Sequence, residues 1–114
     1  MAHVYKILKV DAWTGAERAG RFEGAGVDLA DGYIHFSTAA QAPETARLHF
    51  AGQADLVLLR IDADALGDAL KWEPSRGGQL FPHLYEPLGC ALVEAVTPIP
   101  LDPDGTPRLG VLPE

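Results

Sequence analysis

The 114-residue sequence has a single cysteine, no long apolar run and no cluster of basic residues. One cysteine, Cys90, excludes an intramolecular disulfide and fits a reducing compartment. No stretch approaches the ~18 apolar residues that a membrane span requires. The residues after Met1 also lack the apolar segment of a signal peptide. These absences predict a cytoplasmic protein that has no membrane partner.

Positive charge is also scarce. Nine Lys and Arg stand against 16 Asp and Glu, which gives a net charge of −7. The cations are scattered, whereas an extended nucleic acid backbone requires clustered ones, so nucleic acid is not an expected partner. A pocket for one small anion remains compatible with this balance. The length and the 47% hydrophobic content predict one domain, residues 1–114, with a core of its own.

The most informative stretch is 31–38, Asp-Gly-Tyr-Ile-His-Phe-Ser-Thr. An Asp-Gly turn precedes alternating apolar and polar residues, which predicts a strand whose side chains alternate between two faces. One face carries the apolar side chains of Ile34 and Phe36. The other face carries a phenol, an imidazole and a hydroxyl, from Tyr33, His35 and Ser37. Polar groups of this kind on a buried strand indicate that the face looks into a pocket.

The remaining elements follow from periodicity and end signals. The sequence predicts strands at 3–10, 56–61 and 90–99, with the run at 56–61 central because it is the most apolar. A helix is predicted over 12–19, capped by Asp11 and ended by Gly20. A second helix follows a Thr38–Gln41 capping box and ends near Phe50. Residues 21–30 are interpreted as a loop with one short strand, and 71–87 as a long ordered loop, which is typical of a functional segment.

His35, Ser37 and Thr38 have two interpretations of about equal weight. In the functional one, His35 orients a ribose or acts as acid or base, and the two hydroxyls bind an anion at the strand-to-helix junction. In the structural one, a hydroxyl caps the helix and His35 is a satisfied, half-buried residue.

The segment 71–87 supplies further candidates. His83 lies between an aromatic residue and Tyr85, and Glu73 follows a tryptophan that could raise its pKa and make it a base. The structural alternatives are a loop pinned by Phe81 and Tyr85, and a surface ion pair of Glu73 with Arg76.

Other chemistries find little support. His35, His49 and His83 lack a ligand spacing such as His-x-x-x-His, so no metal is expected. Glycine-rich phosphate-binding loops and the Gly-x-Ser-x-Gly motif are absent from the sequence. Cys90 lies in an apolar stretch without a nearby cation, which disfavours a nucleophilic role.

Four motifs in order, VYKIL, DGYIHFSTAAQ, LKWEP and FPHLY, resemble a bacterial family of small single-domain proteins of unknown function. That family is grouped with the ADP-ribosyltransferase-like superfamily. The resemblance implies an α+β fold in which small split, mostly antiparallel β-sheets and short helices surround a cleft, with NAD as the cofactor. It also implies a nucleotide-like small molecule as the partner.

The resemblance also assigns roles to residues. His35, His83 and Glu73 correspond to the catalytic centre. Lys6 stands where the superfamily has an arginine or histidine, and Glu94 or, less well, Glu86 is the candidate late glutamate. The residues expected to bind the ligand are Lys6, Tyr33, Ser37, Thr38, Arg76 and Tyr85.

Three functional hypotheses remain open. In the first, the domain binds an NAD-type or ADP-ribose-type ligand in a cleft and transfers a glycosyl or phosphoryl-ribose group. In the second, it is a non-catalytic ligand-binding or protein-interaction module. In the third, it is a metal-dependent hydrolase. The sequence leaves the oligomeric state open.

Overall fold

The chain is built from eight β-strands and three short α-helices over residues 2–114, the part that the computed structural model describes. The strands form three small antiparallel sheets, so the fold is mixed α+β, as predicted. The strands are β1 (His3–Lys9), β2 (Arg21–Phe22), β3 (Ile34–His35), β4 (Leu56–Asp62), β5 (Leu70–Pro74), β6 (Leu80–Leu84), β7 (Leu88–Gly89) and β8 (Val93–Ile99). The helices are α1 (Val10–Ala19), α2 (Val27–Asp31) and α3 (Ala42–His49), with 3₁₀ turns at Ala63–Ala69, Arg76–Gly78 and Cys90–Leu92.

The first sheet has the order β1-β4-β8. β4 is central, as its apolar sequence predicts, and it separates two groups of buried residues. Leu59 and Ile61 pack in one group, whereas Leu56 and Leu58 pack in the other. β8 begins later than predicted, after a 3₁₀ turn, and it continues through Pro98 because an edge strand tolerates a missing N–H.

The α1 helix buries Trp13 and Ala16 and ends at Gly20, which has the left-handed φ of 82° that glycine adopts without strain. This end was predicted. The predicted start at Asp11 was wrong, because Lys9 occupies the cap position and the helix has no side-chain cap.

The third sheet has the order β3-β6-β5 and carries most of the polar candidates. The predicted strand at 33–37 is shorter than expected. Only Ile34–His35 forms ladder pairs with β6. Ser37 instead forms an isolated β-bridge with Tyr5 on β1. The alternation of faces was predicted correctly, because Ile34 and Phe36 are buried in the core.

The predicted loop at 71–87 is a β-hairpin, so that prediction was wrong. Five pairs join β5 and β6, from Leu70↔Leu84 to Pro74↔Leu80. The turn between them is possible because Gly77 and Gly78 both have positive φ. Pro82 lies in the middle strand and still contributes to pairing, because its carbonyl accepts the N–H of Phe36 at 3.0 Å.

Residues 21–30 contain more structure than the predicted loop with one short strand. The strand β2 pairs with β7, and α2 follows after two glycines. With five residues, α2 is too short to show helical periodicity in the sequence.

The C-terminal residues pack back against the first sheet. Leu109 and Leu112 pack against the core, and the Tyr5 hydroxyl donates a hydrogen bond to the Pro113 carbonyl. Val111, between them in this segment, is 99% exposed. Within residues 2–114, no helix is long and apolar enough to cross a membrane.

Candidate functional site

The pairing of β3 with β6 places two histidines opposite each other. His35 and His83 are direct partners in the ladder, and their rings meet edge-on with centroids 5.3 Å apart. Tyr33 covers this pair, stacked on His83 at 4.2 Å and tilted against His35 at 4.6 Å. The two histidines predicted from separate motifs therefore lie in one site.

Both ring nitrogens of His35 face aspartates of α2. Nδ1 lies 2.6 Å from Asp28 Oδ1, and Nε2 lies 2.9 Å from Asp31 Oδ2. Carboxylates only accept hydrogen bonds, so both contacts are hydrogen bonds only when the ring is an imidazolium that donates from both nitrogens.

Asp28 joins His35 to the first sheet. Its side chain is 1% exposed and lies 2.8 Å from Lys6 Nζ, and it also accepts the backbone N–H groups of His35 and Ala25. Burial raises the pKa of the Asp28 carboxyl, but the Lys6 ammonium and the His35 donors outweigh burial and leave that pKa below its usual value. Burial also lowers the pKa of Lys6, which Asp28 offsets in part.

Glu73 holds His83 from the neighbouring strand. Its Oε1 lies 2.8 Å from His83 Nδ1 and accepts the Tyr85 hydroxyl at 2.7 Å. These hydrogen bonds from Tyr85 and His83 lower the pKa of Glu73, and the same contact raises the pKa of Tyr85 to about 12. Within residues 2–114, the other ring nitrogen of His83, Nε2, has no hydrogen-bond partner, so it is available to a ligand.

Arg76 reaches across from the hairpin turn to α3. Its guanidinium lies 4.8 Å above the Phe81 ring and donates to Thr45 Oγ1 at 3.2 Å. Thr45 Oγ1 is in turn 2.9 Å from the Ser37 hydroxyl. Among residues 2–114, Arg76 has no carboxylate within salt-bridge distance. The predicted Glu73–Arg76 ion pair was wrong, because Glu73 is turned toward His83.

A cavity of about 270 Å³ lies where these side chains meet. His35, His83, Lys6, Arg76 and His49 line it, and no lining residue is an aspartate or glutamate. Its remaining wall is mainly apolar and includes Tyr5, Ile7, Phe36, Phe50 and Phe81. Its lining therefore combines cationic or protonatable groups with an apolar surface, in a protein of net charge −7.

A second cavity of about 280 Å³ has the opposite character. Three carboxylates and two tyrosines line it, namely Glu23, Asp28, Glu86, Tyr33 and Tyr85, and its lining contains no lysine, arginine or histidine. Tyr33 and Tyr85, predicted to bind the ligand, line this cavity and not the first one.

Several predicted residues lie apart from the first cavity. The Thr38 hydroxyl accepts the Gln41 N–H at 3.2 Å while Gln41 Oε1 accepts the Thr38 N–H at 3.1 Å, so the predicted capping box is present. Glu94 lies on β8, 3.2 Å from His3 and 3.5 Å from Arg60. Glu86 borders the second cavity. Neither candidate for the late glutamate reaches the paired histidines.

The described residues 2–114 contain no group of three or more His, Cys, Asp or Glu side chains arranged to hold a metal ion. Cys90 is half-buried and donates to the Ala16 carbonyl, and burial raises the pKa of its thiol.

Three residues of the site were missed in the sequence, namely Asp28, Asp31 and Thr45, and His49 was considered only as a metal ligand. Asp31 is four residues before His35. That spacing indicates a contact only when both residues lie in one helix, and here a turn separates them, so the sequence did not indicate the pair. Asp28 stands between Val27 and Leu29, and an isolated acid between apolar residues was the available sign of burial. Thr45 and His49 are four residues apart, on one face of α3.

The chain belongs to the protein family of unknown function DUF952, whose model matches residues 7–96. A comparison with curated proteins yields no match.

Solved structures of one bacterial protein are similar to the chain over nearly its whole length. The crystal structure of protein CC0527 from Caulobacter crescentus is 54% identical, covers 93% of both chains and has a TM-score of 0.91. A crystal structure of its double methionine variant is 52% identical, with the same coverage and TM-score. Its solution NMR structure is 55% identical, covers 95% of this chain and 93% of that one, and has a TM-score of 0.86.

Proposed function

We propose that the cavity lined by His35, His83, Lys6 and Arg76 binds a small anionic ligand of the nucleotide type, with a phosphate-bearing ribose inside. One observation carries this proposal. In a protein of net charge −7, this cavity is lined by five cationic or protonatable side chains and by no carboxylate. Asp28, Asp31 and Glu73 contact three of these side chains from outside the lining. Among residues 2–114 this leaves the Arg76 guanidinium as the cation without a carboxylate partner, in a concave and partly apolar site that favours an anion.

Arg76 is the central contact of the proposed site. Its guanidinium has no carboxylate partner among residues 2–114, and its planar set of donors suits a phosphate, which it can bind in a bidentate manner. The Ser37 and Thr45 hydroxyls lie beside it and can donate to the same anion. The aromatic and aliphatic wall offers a surface for the sugar or base.

The size of the cavity limits what it encloses. About 270 Å³ is slightly below the roughly 300–1,000 Å³ of sites for drug-sized ligands, so one sugar phosphate fits better than a whole dinucleotide. NAD or ADP-ribose would place one ribose phosphate inside and extend the remainder outward. The resemblance to the ADP-ribosyltransferase-like superfamily implies the same ligand class.

His83 gives the proposed site a catalytic group. Glu73 fixes Nδ1, which leaves Nε2 of a neutral ring as an acceptor in the cavity. This arrangement suits proton transfer during glycosyl or phosphoryl-ribose transfer. The alternative, a binding module without turnover, is favoured by two contacts: Asp28 lies against Nδ1 of His35 and Asp31 lies against Nε2.

Isothermal titration of the purified protein with ribose 5-phosphate, AMP, ADP-ribose and NAD tests the binding proposal. The wild type should bind at least one of them, and Arg76→Gln should weaken that binding about tenfold or more, since charged hydrogen bonds contribute ~1.5–3 kcal/mol. Arg21→Gln is the matched control, because it removes the same charge from an exposed position outside the cavity. Absence of binding, or equal losses in both variants, would contradict the proposal.

A further inference from the structure

We infer that this site hydrolyses a cyclic ribose phosphodiester, of the kind found in 2′,3′-cyclic nucleotides, with His83 as general base and His35 as general acid. The inference rests on the anion site proposed above and specifies its reaction and substrate class.

The charge of the cavity separates phosphoryl chemistry from glycosyl chemistry. Glycosyl transfer passes through an oxocarbenium-like, positively charged centre that enzymes stabilise with a carboxylate. The cavity lining has no carboxylate, and Glu86 and Glu94 lie elsewhere. Attack at phosphorus concentrates negative charge on the phosphoryl oxygens, which the Arg76 guanidinium would stabilise. The same guanidinium would disfavour a positively charged transition state.

His83 meets the requirements of a base. Its ring is buried, it lines the cavity, and Glu73 fixes the tautomer that leaves Nε2 free to accept a proton. Glu73 is a positioning residue in this scheme, since it acts through the imidazole and does not line the cavity.

His35 meets the requirements of an acid. As an imidazolium the ring would donate to both Asp28 and Asp31, and in that form it would carry a proton to give. Asp28 is buried and lies against Nδ1, whereas the Asp31 side chain at Nε2 is 41% exposed. The proposed reaction requires Asp31 to leave Nε2. A ribose oxygen would then replace the Asp31 carboxylate as the acceptor. With ring centroids 5.3 Å apart, both histidines can contact one phosphoryl group.

The reaction balances without a further reactant. A water oxygen forms a bond to phosphorus while the bond from phosphorus to one ribose oxygen breaks. His83 Nε2 takes the proton from the water, and His35 Nε2 gives its proton to the departing ribose oxygen. The product is a nucleoside phosphomonoester with one free hydroxyl on the ribose. Proton exchange with solvent then returns both imidazoles to their starting forms.

The closing experiment incubates the purified protein with 2′,3′-cyclic AMP and, separately, with NAD, and follows products by chromatography. We expect AMP carrying a 2′- or 3′-phosphate from the first substrate and no nicotinamide from the second. His83→Ala should lower kcat by about 10²–10⁴-fold, the usual contribution of a general base. His83→Gln serves if the alanine variant does not fold. Glu73→Gln should lower kcat and leave KM unchanged, since it would disturb the base without touching the substrate.

The matched control is His3→Asn, because His3 contacts Glu94 on the first sheet and does not line the cavity. Its activity should equal that of the wild type.

Titration of 2′,3′-cyclic AMP in parallel separates the two proposals. Binding without hydrolysis, or hydrolysis that survives in both His83 variants, overturns the reaction and leaves the anion site intact. Release of nicotinamide from NAD without cleavage of the cyclic phosphate also overturns it. Failure of every phosphate compound to bind overturns both.

Discussion

At the level of single residues, Glu73 accepts two hydrogen bonds on one oxygen, from His83 Nδ1 and from the Tyr85 hydroxyl. Two donors stabilise its ionised form, which is why its pKa falls below that of an ordinary glutamate. A carboxylate with a lowered pKa is a weaker base. Glu73 is therefore better suited to orient the His83 ring than to accept a proton itself.

The Tyr85 hydroxyl should report this contact directly. Its pKa of about 12 results mainly from the hydrogen bond to Glu73, so Glu73→Gln should return it toward the ordinary value near 10. Because the folded-state pKa is raised, the stability from this bond is fully present below pH ~10 and is lost as the pH rises through about 12. NMR titration of ring-labelled tyrosine, with Tyr85→Phe to assign the signal, measures the shift. An unchanged titration in Glu73→Gln would show that another group is responsible.

Asp28 and Lys6 form the most buried ion pair of the site, and breaking it should be costly. Asp28→Ala leaves the Lys6 ammonium, only 12% exposed, without its partner, and we expect a loss of about 3–5 kcal/mol in the free energy of unfolding by urea denaturation. Because the pKa of Asp28 is lowered in the folded state, its contribution is present above its unfolded value near 3.9 and is lost as the pH falls through the folded value. The loss caused by Asp28→Ala should therefore shrink in strong acid.

Two further variants complete this experiment. Asp68→Ala removes an exposed aspartate from a 3₁₀ turn and should change stability little. Lys6→Met combined with Asp28→Ala should recover part of the loss, since no buried charge is then left alone. If the double variant is as unstable as the sum of the two single ones, the ion pair is not what stabilises this region.

At the level of elements, the helices and strands that were predicted correctly are those whose own residues carry a clear sequence pattern. β4 is identified by its apolar run, the end of α1 by Gly20, and the start of the third helical segment by Thr38 and Gln41. The β5–β6 hairpin was missed because Pro74, Gly77 and Pro82 are typical of loops. Pairing with β3 places Pro82 in a middle strand, and no local pattern encodes that pairing.

The candidate site was predictable in its residue types and not in its geometry. His35, His83 and Glu73 were chosen from separate motifs, and a ladder between residues 48 positions apart, His35↔His83, unites them. Asp28 was missed because α2 is too short to be recognised, and Asp31 because its contact with His35 crosses the turn at Gly32. Strand pairing and short helices depend on tertiary packing, which a single sequence reveals poorly.

The contribution of the capping box at the start of α3 to stability can be tested by mutation. Thr38→Ala removes the acceptor for the Gln41 N–H, and we expect a loss of about 1 kcal/mol in the free energy of unfolding. Thr38→Ser keeps the hydroxyl and should restore most of it. Thermal unfolding followed by circular dichroism measures both. Equal stability of the alanine and serine variants would show that the hydroxyl does not cap the helix.

At the level of the whole molecule, two cavities differ in the charged residues that line them. Lys6 faces the first cavity and Asp28 the second, and the two are joined by their ion pair. Tyr33 stacks on His83 and lines the second cavity. The Lys6–Asp28 ion pair therefore links the two linings, and α2 contributes Val27 to the first cavity and Asp28 to the second.

A cationic cavity inside a protein of net charge −7 also has a consequence for rates of encounter. At low ionic strength, where the Debye length is ~30 Å, an approaching anion meets the repulsion of the whole molecule before it meets the cavity. At about 0.15 M salt the Debye length falls to ~8 Å, which screens the distant charges more than the nearby ones. We expect the association rate constant of a fluorescent nucleotide, measured by stopped flow, to rise as salt is added. Its dissociation rate constant should rise by a larger factor, so that the affinity falls. An association rate that falls with salt would instead indicate attractive long-range steering.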